Sequence, residues 1–188
     1  MIDEYLNLLG TLSPLNEESK AALSKHVSTK KVSKGDLILK YNEICRHVYY
    51  LNTGFARIFY YKHGKNITEW FADEKQFFFS ISSYFEEKPS ELIIEAIEDC
   101  ELIRLSKSGQ DALCKTNIEI ANLVINFYST SLILSQKRME SIQFESAASR
   151  YRNLLKLQPN ILKKVPLQHI ASFLGITQET LSRIRANL

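Results

Sequence analysis

The stretch that decides the fold is Leu167-Gln168-His169-Ile170-Ala171-Ser172-Phe173-Leu174-Gly175-Ile176-Thr177-Gln178-Glu179-Thr180-Leu181-Ser182-Arg183-Ile184-Arg185-Ala186. Leu167, Ile170, Ala171 and Leu174 recur at the three-and-four spacing of one helix face. Gly175 then supplies the left-handed backbone on which helices end, where a side chain is penalised. Thr177 is of the type that caps the next helix, with Thr180 at the third helical position instead of the Glu of a full capping box. Ala171 is small where two crossing helices must approach. Leu181 and Ile184 share one face of the second helix, leaving Gln178, Glu179, Ser182, Arg183 and Arg185 on the other. Two helices joined by so short a turn are a helix-turn-helix.

The outward residues have a shared chemistry. Arg donates two hydrogen bonds to a guanine edge, Gln pairs with adenine, and Glu accepts from the cytosine amino group. The second helix is therefore expected to lie in a major groove with Gln178, Glu179, Ser182 and Arg183 reading bases. Thr177, Thr180 and Arg185, with Lys163 and Lys164 from an extended segment ahead of Pro166, are the expected phosphate contacts. The charge distribution agrees. From Lys137 onward nine bases face three acids, a net +6, which leaves −3 on the first 136 residues of a chain whose total is +3. A basic end on a mildly acidic body is the asymmetry of a protein that meets a polyanion.

Upstream the hydrophobic period changes twice. Residues 1–27 read helical, with Leu8, Leu12 and Leu15 at spacings of four and three and a second short helix after Asn16. From about Lys30 to Leu105 the chain becomes short β-branched and aromatic runs between turn residues: Leu37–Tyr41, Val48–Leu51, Phe55–Tyr61, Ile67–Phe71, Leu92–Ile97 and Glu101–Leu105. Strands spaced this closely predict a small barrel or sandwich. From Ile118 to about Phe144 no Gly or Pro interrupts the chain. The spacing predicts one helix roughly 40 Å long at ~1.5 Å per residue. Along it Ile120, Val124, Phe127, Ser131 and Leu134 keep a four-three spacing and form the expected dimerisation face. Ala147–Leu157 is predicted helical, broken by Gln158-Pro159-Asn160.

Composition excludes several classes. The 188 residues are 45% apolar and 24% charged, with ten Gly and Pro together, as in an ordered globular chain. Apolar clusters such as Phe77–Ile81 are far shorter than the roughly 20 residues of a membrane span. The acidic opening Met1-Ile2-Asp3-Glu4 is unlike a signal peptide. No membrane association and a cytoplasmic location are expected. Cys45, Cys100 and Cys114 form no C-x-x-C pair, so neither a disulfide framework, a zinc site nor a four-thiolate cluster is expected. The four histidines lie more than ten residues apart, without the H-x-H pair of a cupin-type enzyme. No catalytic residue and no metal ligand is expected. A cupin-type enzyme and a binding or scaffolding module with a vestigial helix-turn-helix are the alternatives to a regulator.

In this order, barrel, long helix and helix-turn-helix resemble the Crp/Fnr family of bacterial transcription regulators over nearly the whole chain. Thr177 to Arg183 resembles that family's recognition helix, with its characteristic Glu and Arg at Glu179 and Arg183. Gln178 stands where many members have Arg. Gly35 and Tyr50-Leu51-x-x-Gly54 resemble turns of the cyclic-nucleotide-binding barrel. The resemblance implies an α+β chain with an N-terminal double-stranded β-helix or jelly-roll barrel (1–115), a long dimerisation helix (116–144) and a C-terminal winged helix-turn-helix (145–188). It implies a homodimer on a pseudo-palindromic operator in double-stranded DNA, RNA polymerase as a further partner and a small-molecule effector of unassigned identity. In relatives a Gly-Glu-Leu element and a later Arg-Ser/Thr pair hold the cyclic nucleotide. Here those positions are Ser80-Ile81-Ser82 and Glu91-Leu92. A carboxylate in place of the arginine repels a phosphate, so cAMP is not expected to bind in the usual way and no cofactor is expected. The aromatic group Phe77, Phe78, Phe79, Tyr84 and Phe85 is expected either to line an apolar effector site or to be core.

Overall fold

The computed structural model describes residues 1–187. Two helices open the chain, α1 (Ile2–Leu12) and α2 (Glu17–Ser24), the second capped by Asn16, whose side chain accepts from the Ser19 amide. Eight strands follow: β1 (Val27–Val32), β2 (Leu37–Leu39), β3 (His47–Thr53), β4 (Ala56–Lys62), β5 (Lys65–Ala72), β6 (Phe77–Phe78), β7 (Ile93–Ala96) and β8 (Cys100–Ser106). A short helix, α3 (Ile81–Glu86), interrupts them, and α4 (Lys107–Cys114) closes the set. The strands form two antiparallel four-stranded sheets, β1-β8-β3-β6 and β2-β7-β4-β5. This is the strand order of a jelly roll. The sheets face each other and do not close into a continuous barrel.

Alternation along the strands divides the core. Leu51 and Leu102 point between the sheets with Leu39, Ile58 and Ile94. Their neighbours Tyr50 and Ile103 point outward and are covered by Tyr5, Leu6 and Leu9 of α1 and by Ile120 and Leu123. The buried face of α1 is thus Tyr5-Leu6-Leu9, while Leu12 is exposed.

The long helix α5 (Ile118–Phe144) runs over the range the sequence predicts, capped by Asn117, whose side chain accepts from the Ile120 amide. Only its first half is buried, at Ile120 and Leu123. Among the described residues it is the one helix long and apolar enough to cross a bilayer, with a mean hydropathy of 1.3 over an 18-residue window. Cluster length alone hid this property, which here belongs to a helix packed on the sheets at one end and bare at the other.

Beyond it stand α6 (Ala147–Leu157), α7 (Ile161–Lys164), α8 (Leu167–Phe173) and α9 (Gln178–Ala186). One expectation is corrected here. Lys163 and Lys164 lie in a helical turn, not an extended segment; only Val165 is extended (φ −123°, ψ 132°), as the residue before a proline must be. Among the described residues no strand occurs after β8, so the expected β-wing is not among them.

The C-terminal helices are seated on β4 and β5. Phe55 and Phe71 join Tyr151, Leu154, Ile170, Ala171, Leu174 and Leu181 in one core cluster. Ser172 Oγ accepts from the Thr68 amide at 2.8 Å. Lys164 Nζ bridges Asp73 (3.3 Å) and Glu98 (3.1 Å). Beneath α8, the guanidinium of Arg57, 2% exposed, is satisfied by Thr68 Oγ1 (2.9 Å), Glu95 Oε1 (3.1 Å) and Asn66 Oδ1 (2.8 Å), with His169 Nε2 at 3.5 Å.

Candidate nucleic-acid interface

The local sequence builds the corner as physical chemistry requires. Ile170, Ala171 and Leu174 are buried on α8, Gly175 takes φ +70°, and the Gly175 and Ile176 amides close onto Ser172 and Ala171 carbonyls at 3.0 Å. Thr177 caps α9, its hydroxyl accepting from the Thr180 amide at 3.2 Å. Leu181 is fully buried between the helices. Gln178, Glu179, Ser182, Arg183 and Arg185 are all exposed, and Thr180 is half-buried. The structure brings the four candidate base-reading residues onto one open face.

Within that face Arg183 Nη2 donates to Thr180 Oγ1 at 3.3 Å. The Thr177 hydroxyl beside Glu179 and the backbone amide at the helix start hold its carboxyl below the usual range, so Glu179 stays an acceptor. Negative charge at a helix start is favourable for the same reason that phosphate is. Lys163 is exposed and available to a polyanion. Lys164 is less free: its two carboxylate partners and the Phe55 ring 5.1 Å beneath it hold it against the sheets.

The expected dimerisation face is largely covered within the chain itself. Ile120 is fully buried within the chain, Val124 is partly buried beside it, and Phe127 packs on Phe77 at 5.1 Å between ring centroids. Ser131 is half-buried, and of that set only Leu134 is exposed. The free apolar stripe lies on the opposite side: Ile118, Ile125, Leu132 and Met139, seven residues apart, are 74%, 61%, 72% and 47% exposed. A seven-residue repeat is the spacing at which two helices lie along each other.

The residues at the cyclic-nucleotide positions do not form one pocket. Ser80 is fully buried and its hydroxyl accepts from Ser90 Oγ at 2.9 Å. The Leu92 carbonyl, also 2.9 Å from Ser90 Oγ, shares that one hydrogen. Ile81, Ser82 and Glu91 are at the surface and Leu92 is half-buried. Glu91 is therefore a surface carboxylate, while Ser80 and Ser90 pair in the interior. Phe78, Phe79 and Tyr84 are core, while Phe85 meets Tyr128 of α5 at 4.8 Å. These rings fasten the long helix to the sheets.

Residues 29–117, which hold most of the two-sheet roll, match the cyclic nucleotide-binding domain family. Most of the chain shares the fold of solved Crp/Fnr family transcription regulators. The chain is similar to FixK2 from Bradyrhizobium japonicum (TM-score 0.71, 19% identity, 86% of this chain and 84% of that one). It is similar to a putative Crp/Fnr regulator from Eubacterium rectale (0.69, 23%, 90% and 82%) and to the Thermus thermophilus catabolite activator protein (0.56, 22%, 93% and 83%). No curated protein sequence matches significantly.

Proposed function

We propose that this chain is a DNA-binding transcription regulator of the Crp/Fnr type, acting in the cytoplasm as a homodimer. The observation that carries this reading is the open polar face of α9, with Gln178, Glu179, Ser182 and Arg183 outward over a fully buried Leu181. A helix presented in this way fits a major groove, and two copies related by a two-fold axis fit half-sites about one helical turn apart. The Ile118-Ile125-Leu132-Met139 stripe supports dimerisation along α5. The buried Ser80–Ser90 pair supports a roll that does not take cAMP by the usual contacts: the two hydroxyls are bonded to each other and bring no positive charge.

Selection of bound fragments from random duplex DNA tests the reading, and a pseudo-palindrome is the expected result. On the selected duplex Arg183→Ala should weaken binding by about 1–3 kcal/mol and relax preference at one base position per half-site. Equal losses on selected and random DNA would take Arg183 out of base reading, and no enrichment at all would end the proposal.

A further inference from the structure

Between the roll, the second half of α5 and the C-terminal helices lies a cleft of about 770 Å³. That is within the range of small-molecule sites. Its walls are largely apolar, formed by Trp70, Phe77, Phe127, Leu134, Leu154 and Phe173. Four cations also line it, Lys75, Lys137, Arg138 and Arg150, against a single carboxylate among the described residues, Glu145. An apolar chamber with surplus positive charge calls for a ligand of the opposite description.

The two arginines make the surplus specific. Arg138 lies over the Phe173 ring at 3.8 Å and donates to the Phe173 carbonyl. Arg150 donates to the Leu174 carbonyl through Nε (3.1 Å) and Nη2 (2.8 Å), and to the Glu145 carbonyl. Carbonyls offer only partial negative charge. Among the described residues no carboxylate lies within 4.0 Å of either guanidinium. Burial, and then repulsion from Arg150, pull Arg138 down to about 10, against the weaker opposing attraction of Glu69, which stands outside the cleft lining.

A second copy of the chain is not the fitting occupant. At ~100° per residue, the cleft-lining Phe127, Leu134 and Arg138 sit about half a turn from Ile125, Leu132 and Met139. Dimerisation on that stripe leaves the cleft open.

We infer that this cleft is an effector site for an amphipathic organic anion, its acidic head held by Arg138 and Arg150 and its apolar body laid along Trp70, Phe127 and Leu134. Arginine binds such heads through paired, charge-assisted hydrogen bonds. The head competes with the carbonyls of Phe173 and Leu174, which lie just ahead of the Gly175 turn into α9. Occupancy therefore changes how tightly α5 and α6 hold the helix-turn-helix. Binding itself is independent of the regulator reading; only its effect on DNA affinity rests on that reading.

Trp70 is the chain's sole tryptophan, so its emission reports the cleft directly. The full chain is titrated with dodecanoate, dodecanol and dodecyltrimethylammonium below their aggregation concentrations, by fluorescence and calorimetry. Dodecanoate should saturate at one equivalent per chain, with the other two at least tenfold weaker. Arg138→Gln should reduce dodecanoate to the dodecanol level, while Arg138→Lys stays within about threefold of the parent. Thr130→Phe, on the cleft wall, should abolish binding of dodecanoate without touching either arginine, and covers the case of an unfolded Arg138→Gln. No saturable signal, equal affinity for all three probes, or full dodecanoate affinity in Thr130→Phe would each overturn the inference. A chain that binds dodecanoate yet no duplex would uphold it while removing the DNA reading.

Discussion

Gly54 and Gly175 both hold positive φ, +103° and +70°, but a methyl group would meet different surroundings at each. At Gly54 it would lie 2.4 Å from the Asp99 carbonyl oxygen, a backbone atom that cannot swing away; at Gly175 it would meet nothing within 4 Å. Gly175→Ala should therefore lose only the left-handed penalty, about 1–2 kcal/mol. Gly54→Ala should lose clearly more, and thermal unfolding of the two variants measures the gap. His169 is the second residue of interest. Burial and the adjacent Arg57 lower it to about 4 from an ordinary value near 6.5. Between those values the unfolded chain binds the proton and the folded chain does not, so stability falls as pH drops from about 6.5 toward 4 and is flat above. His169→Gln should remove part of that slope; an unchanged difference in midpoint between parent and variant at pH 7.5 and 5.0 would exclude it. At this scale the corner was legible, because Gly175, Thr177 and Leu181 act through neighbours three or four residues away. Arg57 and Lys164 were not. Their partners Asn66, Thr68, Glu95, Asp73 and Glu98 are gathered by the sheets and come from scattered positions.

The same distinction governs α5. Its length and its cap were readable, since an uninterrupted apolar-rich run after Asn117 has few other options. Which face meets what was not readable. Four-three spacing fits both the Ile120-Val124-Phe127 side, which lies on the sheets and the cleft, and the stripe half a turn away. Only the position of the sheets separates them. Leu132→Asp should consequently leave the circular dichroism of the chain unchanged while converting a dimer to a monomer in sedimentation. Ile120→Asp, at a fully buried position, should unfold it. If Leu132→Asp sediments like the parent, the stripe is not the dimer contact. β1 and β6 escaped the pattern for a related reason: Ser28 to Lys31 are polar or charged at a sheet edge, and Phe77–Phe78 is only a two-residue strand.

Across the whole molecule, the helix-turn-helix is held on the outer face of β4 and β5 by the Lys164 bridges, the Thr68–Ser172 hydrogen bond and the Phe55–Phe71 cluster. This arrangement separates two lysines that the sequence grouped together. Lys163→Ala should reduce the slope of log affinity for DNA against log salt by about 0.9, the effect of one lost phosphate contact. Lys164→Ala should leave that slope unchanged and instead speed amide exchange in α8; a full unit of lost slope would place Lys164 at the DNA. The seating of Phe55 and Phe71 has a consequence for dissection. Two rings that complete the hydrophobic centre of the last forty or so residues are carried by the other end of the polypeptide. Cutting the chain after α5 would leave the amino-terminal piece with two bare phenyl groups and the carboxy-terminal piece with a hollow, so each fragment should precipitate or seek the other where the intact protein stays dissolved.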